Sequence, residues 1–356
     1  MKLIIFGKLD FNHIYFLLYS LCTFIPVILK ELLYENKNTI SSYFYSMYVS
    51  ILSRFLSLIP FLINKRLAAN KNSKDNERNK SELKIKYIYN NKTPTKKIKL
   101  IISIFKVAIF EFLAEALICI FYFLNNKPEV QIIYPLQIFL AIDTITQYLV
   151  SHFVLDYTFY KHHYLSFGIN IFCIIIFLII DIIEIVDRKI SDYQFYIYDF
   201  MRILKLFLFS FEDNYAKHAL YTEFLNPFSL MVYMAIIESI LLLIFSIPFI
   251  YIKTRDTNEI IFVDFVEYLK GTNFLLSLGI LISNYLFETF LLIIIDKFSP
   301  SHLPLGFIFF SFCNNIYSLI KNTLNNKENK YYYYTNILLY IIIFIGAMIH
   351  NENIHN

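Results

Sequence analysis

Ten apolar runs, each close to the length a helix needs to cross a membrane, dominate this chain. A helix rises about 1.5 Å per residue and needs roughly 20 mostly apolar residues to span the hydrocarbon layer. Stretches of that kind lie at 11–29, 42–64, 99–124, 133–155, 164–185, 196–215, 227–252, 272–296, 303–322 and 332–350. Arg202 and Lys205 interrupt the sixth. Lipid offers the backbone no hydrogen-bond partners, so each run is expected to satisfy its own as a helix. The expected fold class is an all-α polytopic membrane protein.

Composition excludes most alternatives. Of 356 residues 57% are hydrophobic and only 17% are charged, where a soluble domain carries about 25% charged residues. A soluble enzyme, a disordered chain and a disulfide scaffold are all excluded on that ground. The net charge of +4 is too small and too localised to imply nucleic acid. Cys22, Cys119, Cys173 and Cys313 each lie inside an apolar run with no Cys-x-x-Cys spacing, and read as small buried hydrophobes. His162 and His163 have no third ligand at a suitable spacing, so neither a metal nor another cofactor is expected. Asp10 precedes the first run and no small-residue cleavage site follows it, so that run is expected to be a span rather than a cleaved signal.

The basic residues carry topology. Residues 65–99 hold twelve Lys or Arg, and the positive-inside rule places this loop in the cytoplasm. Ten spans then put both termini there. Shorter basic loops after spans five, seven and nine (Arg188, Lys189, Lys253, Arg255, Lys321) point the other way. Glycosylation at Asn79 or Asn91, both in the long loop as Asn-x-Ser/Thr, would invert the assignment.

An internal repeat organises the runs. Ile59-Pro60-Phe61 closes span two and Ile247-Pro248-Phe249 closes span seven, 188 residues later. Glu111 and Glu115 of span three correspond to Asn284 and Glu288 of span eight at an offset of 173, and Asp143 and Gln147 of span four to Asn314 and Ser318 of span nine at 171. The change of offset matches the longer loop of the first half. The chain therefore divides into residues 1–185 and 186–356, each with five spans. Five is odd, so the halves are expected to be inverted relative to each other.

Charged groups at membrane depth then become the informative minority. A carboxylate at the centre of a bilayer costs roughly 2.5–3.5 kcal/mol on insertion scales. Glu111 and Glu115 lie one turn apart on one helix face, and two such charges do not both ionise in a low dielectric without compensation. Asp143, Gln147 and Ser151 form a stripe on span four with Gln137 nearer its start; Glu238 lies in span seven, Asn284 and Glu288 in span eight, and Asn314 and Asn315 in span nine. Polar stripes line a cavity or bond neighbouring helices rather than facing lipid. Arg54 in span two is expected either to pair with a buried carboxylate or to meet an anionic solute. Arg202 and Lys205 are expected to reach for the interface, and Glu212 and Asp213 to lie at it.

These residues resemble a family. Phe112-Leu-Ala-Glu-Ala-Leu-Ile-Cys119, Tyr134-Pro-Leu-Gln-Ile-Phe-Leu-Ala-Ile-Asp143 and Phe153 through Gly168 resemble spans three to five of the drug/metabolite transporter superfamily. Phe211 through Leu220, Asn226-Pro-Phe228 and Ile237-Glu-Ser239 are similar to spans six and seven of its EamA-like branch around the chloroquine-resistance and F-type nucleotide-sugar-like carriers. The resemblance implies functional positions at Glu115, Gln137 and Glu238, and an internal membrane (vacuolar, lysosomal, Golgi or endoplasmic reticulum), with the plasma membrane as the other location. The chain departs from that branch in lacking Gly beside Glu238 and in placing Arg54 where an acidic residue is common.

The expected function is secondary transport of a small organic solute by alternating access, with proton coupling through Glu115, Glu238 or Glu288. Its partners would be lipid, the solute and protons, in a monomer or homodimer, with no enzymatic activity. The other reading is a transport-inactive structural subunit that keeps a degenerate transporter fold.

Overall fold

The computed structural model describes residues 13–34, 40–75, 94–124, 136–188, 193–223, 225–251, 272–308, 311–312, 316 and 330–351. Among them there is no strand. The helices are α1 (His13–Tyr34), α2 (Ile40–Phe55), α3 (Leu58–Asp75), α4 (Pro94–Leu124), α5 (Leu136–Leu155), α6 (Lys161–Arg188), α7 (Tyr193–Thr222), α8 (Pro227–Tyr251), α9 (Thr272–Lys297) and α10 (Lys330–Asn351). A 3₁₀ turn at Pro300–His302 leads into a helical stretch over 303–308. Apart from short turns the described residues are helical, as the apolar runs require.

Among the described residues four segments are long and apolar enough to cross a membrane: Phe44–Arg66, Lys161–Ile179, Pro227–Pro248 and Asn273–Lys297. Phe139–Leu155, Leu18–Lys30 and Ile337–Ile349 are apolar but shorter. The sequence led us to expect ten spans; several of the other runs extend into residues outside the described ones. The helices α4 and α7 have the length and carry charged groups within it: Lys106, Glu111 and Glu115 in the first, and Arg202, Lys205, Glu212 and Asp213 in the second.

The distribution of polarity is the reverse of a soluble protein's. Ile59, Leu243, Leu275, Phe153 and Phe200 are well exposed, while Arg54, Glu111, Asp143, Glu212, Asp213, Glu238 and Glu288 are buried. Large apolar side chains facing outward around a charged interior suit a lipid surround.

The span 42–64 is not one continuous helix. It breaks at Leu56–Ser57, between α2 and α3. Pro60 has no N–H to continue the ladder. The break satisfies its own backbone: the N–H of Leu56 donates to Ser53 O (3.1 Å) and that of Ser57 to Arg54 O (3.0 Å), and the Ser57 hydroxyl donates to the same Arg54 carbonyl. Irregular backbone inside a membrane helix is tolerated where such bonds close it, and this one follows directly on Arg54.

Small residues set the helix contacts. α4 packs on α7 and α1 on α9, with Ala108, Ala216 and Ala219 fully buried in a core that includes Met231, Met234, Leu292 and Ile295. Alanine here allows the close backbone approach that glycine gives in many membrane bundles, so the shortage of Gly does not prevent tight packing. Where glycine does occur, two of its carbonyls also take a hydrogen bond across a close helix contact. At Gly346 on α10 a Cβ would stand 3.1 Å from Ile169 of α6, and the Ser166 hydroxyl donates to the Gly346 carbonyl across the same contact (2.7 Å). At Gly306 a Cβ would fall 2.5 Å from the ring of Tyr19, and the Ser20 hydroxyl donates to the Gly306 carbonyl (3.0 Å).

Gly306→Ala is therefore expected to destabilise the protein by about 1–3 kcal/mol through overpacking. Thermal unfolding of the detergent-solubilised protein measures this. A midpoint equal to that of the wild type would show that the Tyr19 ring is not held against residue 306.

Candidate functional site

Four helices converge on one guanidinium. Arg54, the last residue but one of α2, is 1% exposed. It forms ion pairs with Glu111 of α4, Glu238 of α8 and Glu288 of α9, the last at 3.1 Å. The helix contacts explain the convergence: α2 packs against α9, α8 and α4, and α4 against α8. The apolar layer around it comes from Met47, Ile51, Phe112, Ala116, Cys119 and Leu242. Of the two sequence readings of Arg54, pairing with buried carboxylates is the one seen.

The charges of this cluster do not balance. One guanidinium meets three carboxylates, and Glu111 Oε2, Glu238 Oε1 and Arg54 Nε have no hydrogen-bond partner among the described residues. Charges out of water cost several kcal/mol each unless paired and fully hydrogen-bonded. The arrangement is thus suited to taking up protons or a cationic group, and poorly suited to an additional anion.

Glu115, one turn beyond Glu111, belongs to a different pair. It accepts from Lys205 of α7 at 2.9 Å, with about a quarter to a third of each side chain exposed. Lys30 of α1 donates to the Ser46 hydroxyl of α2 (2.7 Å). Glu111 and Glu115 therefore do not form a self-contained acidic pair; each has its own cation. Lys205, expected at the interface, turns inward to Glu115, and Arg202 lies over the ring of Phe139 at 3.9 Å.

A second polar seam joins α5 and α7. Gln147 donates through Nε2 to Asp213, Asn214 donates to Gln147 Oε1 (3.3 Å), Ser151 donates to Asn214 Oδ1 (2.7 Å), and the hydroxyls of Thr146 and Ser210 bond each other (2.9 Å). Asp143 is buried on the same helix. Glu212 and Asp213, expected at the membrane surface, are buried instead. The reason is helix length. α7 continues to Thr222, which puts Glu212 roughly 15 Å from its end at 1.5 Å per residue. The seam adjoins the cluster, since α7, which carries Glu212 and Asp213, packs against both α4 and α9.

The structure thus brings together Arg54, Glu111, Glu238 and Glu288, with Asn284 buried one turn before Glu288. It places Glu115 beside them, and Asp143 and Gln147 on the seam. The Gln137 side chain and Asn314 lie outside the described residues, as do Asn79, Asn91 and Cys313. Sequence reasoning missed Lys30 and the depth of Glu212 and Asp213. The adjacent acids inside an aromatic run were the available signal. His162 and His163 fall in the first turn of α6, where His163 Nδ1 accepts from the Tyr160 N–H (3.0 Å). Among the described residues no group of His, Cys, Asp and Glu is arranged to hold a metal.

Removing Arg54 strands three buried carboxylates, so Arg54→Met is expected to cost about 3–5 kcal/mol of stability. Lys205→Met, which breaks a partly solvated pair, is expected to cost about 0–1 kcal/mol. Denaturation of the two variants side by side measures the ordering, and equal losses would contradict the cluster's central place.

No protein-family model matches the chain, and no curated protein matches it in sequence.

Proposed function

We propose that this protein is a secondary transporter that moves a small organic solute by alternating access, with protons exchanged at the Arg54 cluster. The observation that carries the reading is the meeting of α2, α4, α8 and α9 on one buried, charge-imbalanced site. A carboxylate excess of this kind inside a membrane bundle is a place where protons or cations enter and leave. Binding a proton at Glu238 or Glu288 would weaken its hold on Arg54, and so would loosen helices that the guanidinium ties together.

The helix pairings support two inverted five-helix halves in this proposal. With α2 and α3 counted as one broken span, α1 packs on α9 as α7 packs on α4, and α2 packs on α9 as α8 packs on α4. α6 and α10, the last spans of the two halves, pack on each other. Exchanging the halves maps each of these pairings onto another or onto itself, as related repeats require. The break after Arg54 also fits, since discontinuous helices accompany midplane sites in carriers. The drug/metabolite transporter layout is part of the same proposal, with Glu115 and Glu238 as its functional positions.

A structural subunit is the second reading, favoured by one observation: Arg54 clamps three neighbouring helices through buried ion pairs, which a scaffold would also use. Reconstitution into liposomes with an imposed pH gradient, a pH-sensitive dye and a metabolite set separates the two. Transport predicts solute-dependent proton movement that Glu238→Gln abolishes and Glu115→Gln reduces. Folded wild-type protein that moves neither solute nor protons would leave the structural reading.

A further inference from the structure

The turn that follows α9 is polar yet buried. Ser299, Ser301 and His302 are each less than a tenth exposed. The hydroxyls of Ser299 and Ser301 bond each other (2.6 Å), and the Ser299 hydroxyl bonds Nδ1 of His302 (2.8 Å). The His302 N–H donates to the Ser299 carbonyl (3.1 Å), so backbone and side chains hold the three residues in one hydrogen-bonded chain. The turn packs against α5, α7, α9 and α10, and the Phe298 ring lies 5.5 Å from the imidazole. An irregular polar segment is tolerated in such a bundle only where protein encloses it or water reaches it.

Two contacts set its depth. Lys217 of α7 donates to the Asp296 carbonyl in the last turn of α9 (2.8 Å), and Leu303 shares a buried cluster with Ala216 and Ala219 of α7. Asp296 and Lys297 are exposed, which marks the outer end. Asp213 precedes Lys217 by four residues, about 6 Å further in along the helix. The turn therefore lies beside α7 between its exposed end and the seam of Gln147, Asp213 and Asn214. The helices packed against it carry His152, Lys217, His218, Asp296, Lys297 and Tyr340 as charged or titratable groups, with the acids Asp143, Glu212 and Asp213 deeper.

We propose that His302, with the hydroxyls of Ser299 and Ser301, is a proton-binding relay between the water at this end of the bundle and its polar interior. Histidine is the side chain whose ordinary pKa, about 6.5, falls in the physiological range. A hydroxyl both donates and accepts, so the chain of bonds runs in either direction. With His302 neutral, the Ser301 hydroxyl donates to Ser299 and the Ser299 hydroxyl donates to Nδ1. Uptake moves the Ser299 proton onto Nδ1 and the Ser301 proton onto Ser299, and a proton from water replaces it on Ser301. Both hydroxyls stay neutral, the ring becomes imidazolium, and the proton on Nε2 is the one released to complete the transfer. Histidine-containing chains of this kind carry protons through membrane proteins. The proposal rests on the transport reading only in making this proton one that the carrier exchanges.

The test uses the full chain in lipid nanodiscs with its imidazoles labelled with ¹⁵N. The His302 signals, assigned by their loss in His302→Gln, are expected to change between about pH 5 and 8 as Nδ1 gains its proton. Ser299→Ala should lower that midpoint by about half a unit or more, because a hydroxyl holds an imidazolium N–H more strongly than it holds the neutral ring. Ser299→Thr should restore it. Signals that stay constant over this range would overturn the proposal, and so would a midpoint that Ser299→Ala leaves unchanged. Where His302→Gln fails to fold, the Ser299→Ala shift itself identifies the signal. In liposomes His302→Gln is expected to slow solute-dependent proton movement about tenfold or more, and wild-type rates in that variant would overturn the relay. Titration of His302 in a wild-type chain that moves no protons would sink the transport reading and leave the proton site standing.

Discussion

Arg54 and its three carboxylates govern the rest of the structure. A buried guanidinium is tolerated only where charge and hydrogen bonds meet it from several sides, and this one draws Glu111, Glu238 and Glu288 from three separate helices. That demand fixes which faces of α2, α4, α8 and α9 turn inward. It also explains the apolar outer surface. Once the charged groups are gathered at the centre, the opposite faces of the same helices are left with Ile, Leu and Phe.

The imbalance matters as much as the pairing. A neutral buried pair would serve as a clamp and nothing more. Three acids on one Arg, with Glu212, Asp213 and Asp143 buried as well, leave the interior short of positive charge. Protons and cations are the species that relieve such a shortage. The Arg54 side couples to helix movement because its ion pairs cross helix boundaries.

The backbone and the site are joined at the α2–α3 break. Arg54 lies immediately before it, and its carbonyl takes two of the bonds that close it, from the Ser57 N–H and hydroxyl. A change in the guanidinium's partners therefore bears on a point where the span is already interrupted. Lys205–Glu115, partly solvated and off to one side, lacks that leverage.

Much of this was legible in one dimension. Period and length alone called for helices, because lipid leaves the backbone no other partner. The polar residues Arg54, Glu111, Glu238 and Glu288 stood out because a charge in an apolar run is costly. What the sequence could not decide was which of them meet. Glu111 and Glu115 share a helix face and a spacing of four, yet one joins Arg54 and the other Lys205, a choice made by neighbouring helices. Glu212 and Asp213 looked superficial because hydropathy ended their span at 215, whereas hydrogen bonding carried the helix to Thr222. Tyr19 was one aromatic among many; only the close approach of Gly306 to its ring singles it out. Local sequence determined the helices and the cost of each buried charge, and tertiary packing decided the partners, since ion pairs between residues up to 234 positions apart are set by helix contacts rather than by neighbours in the chain.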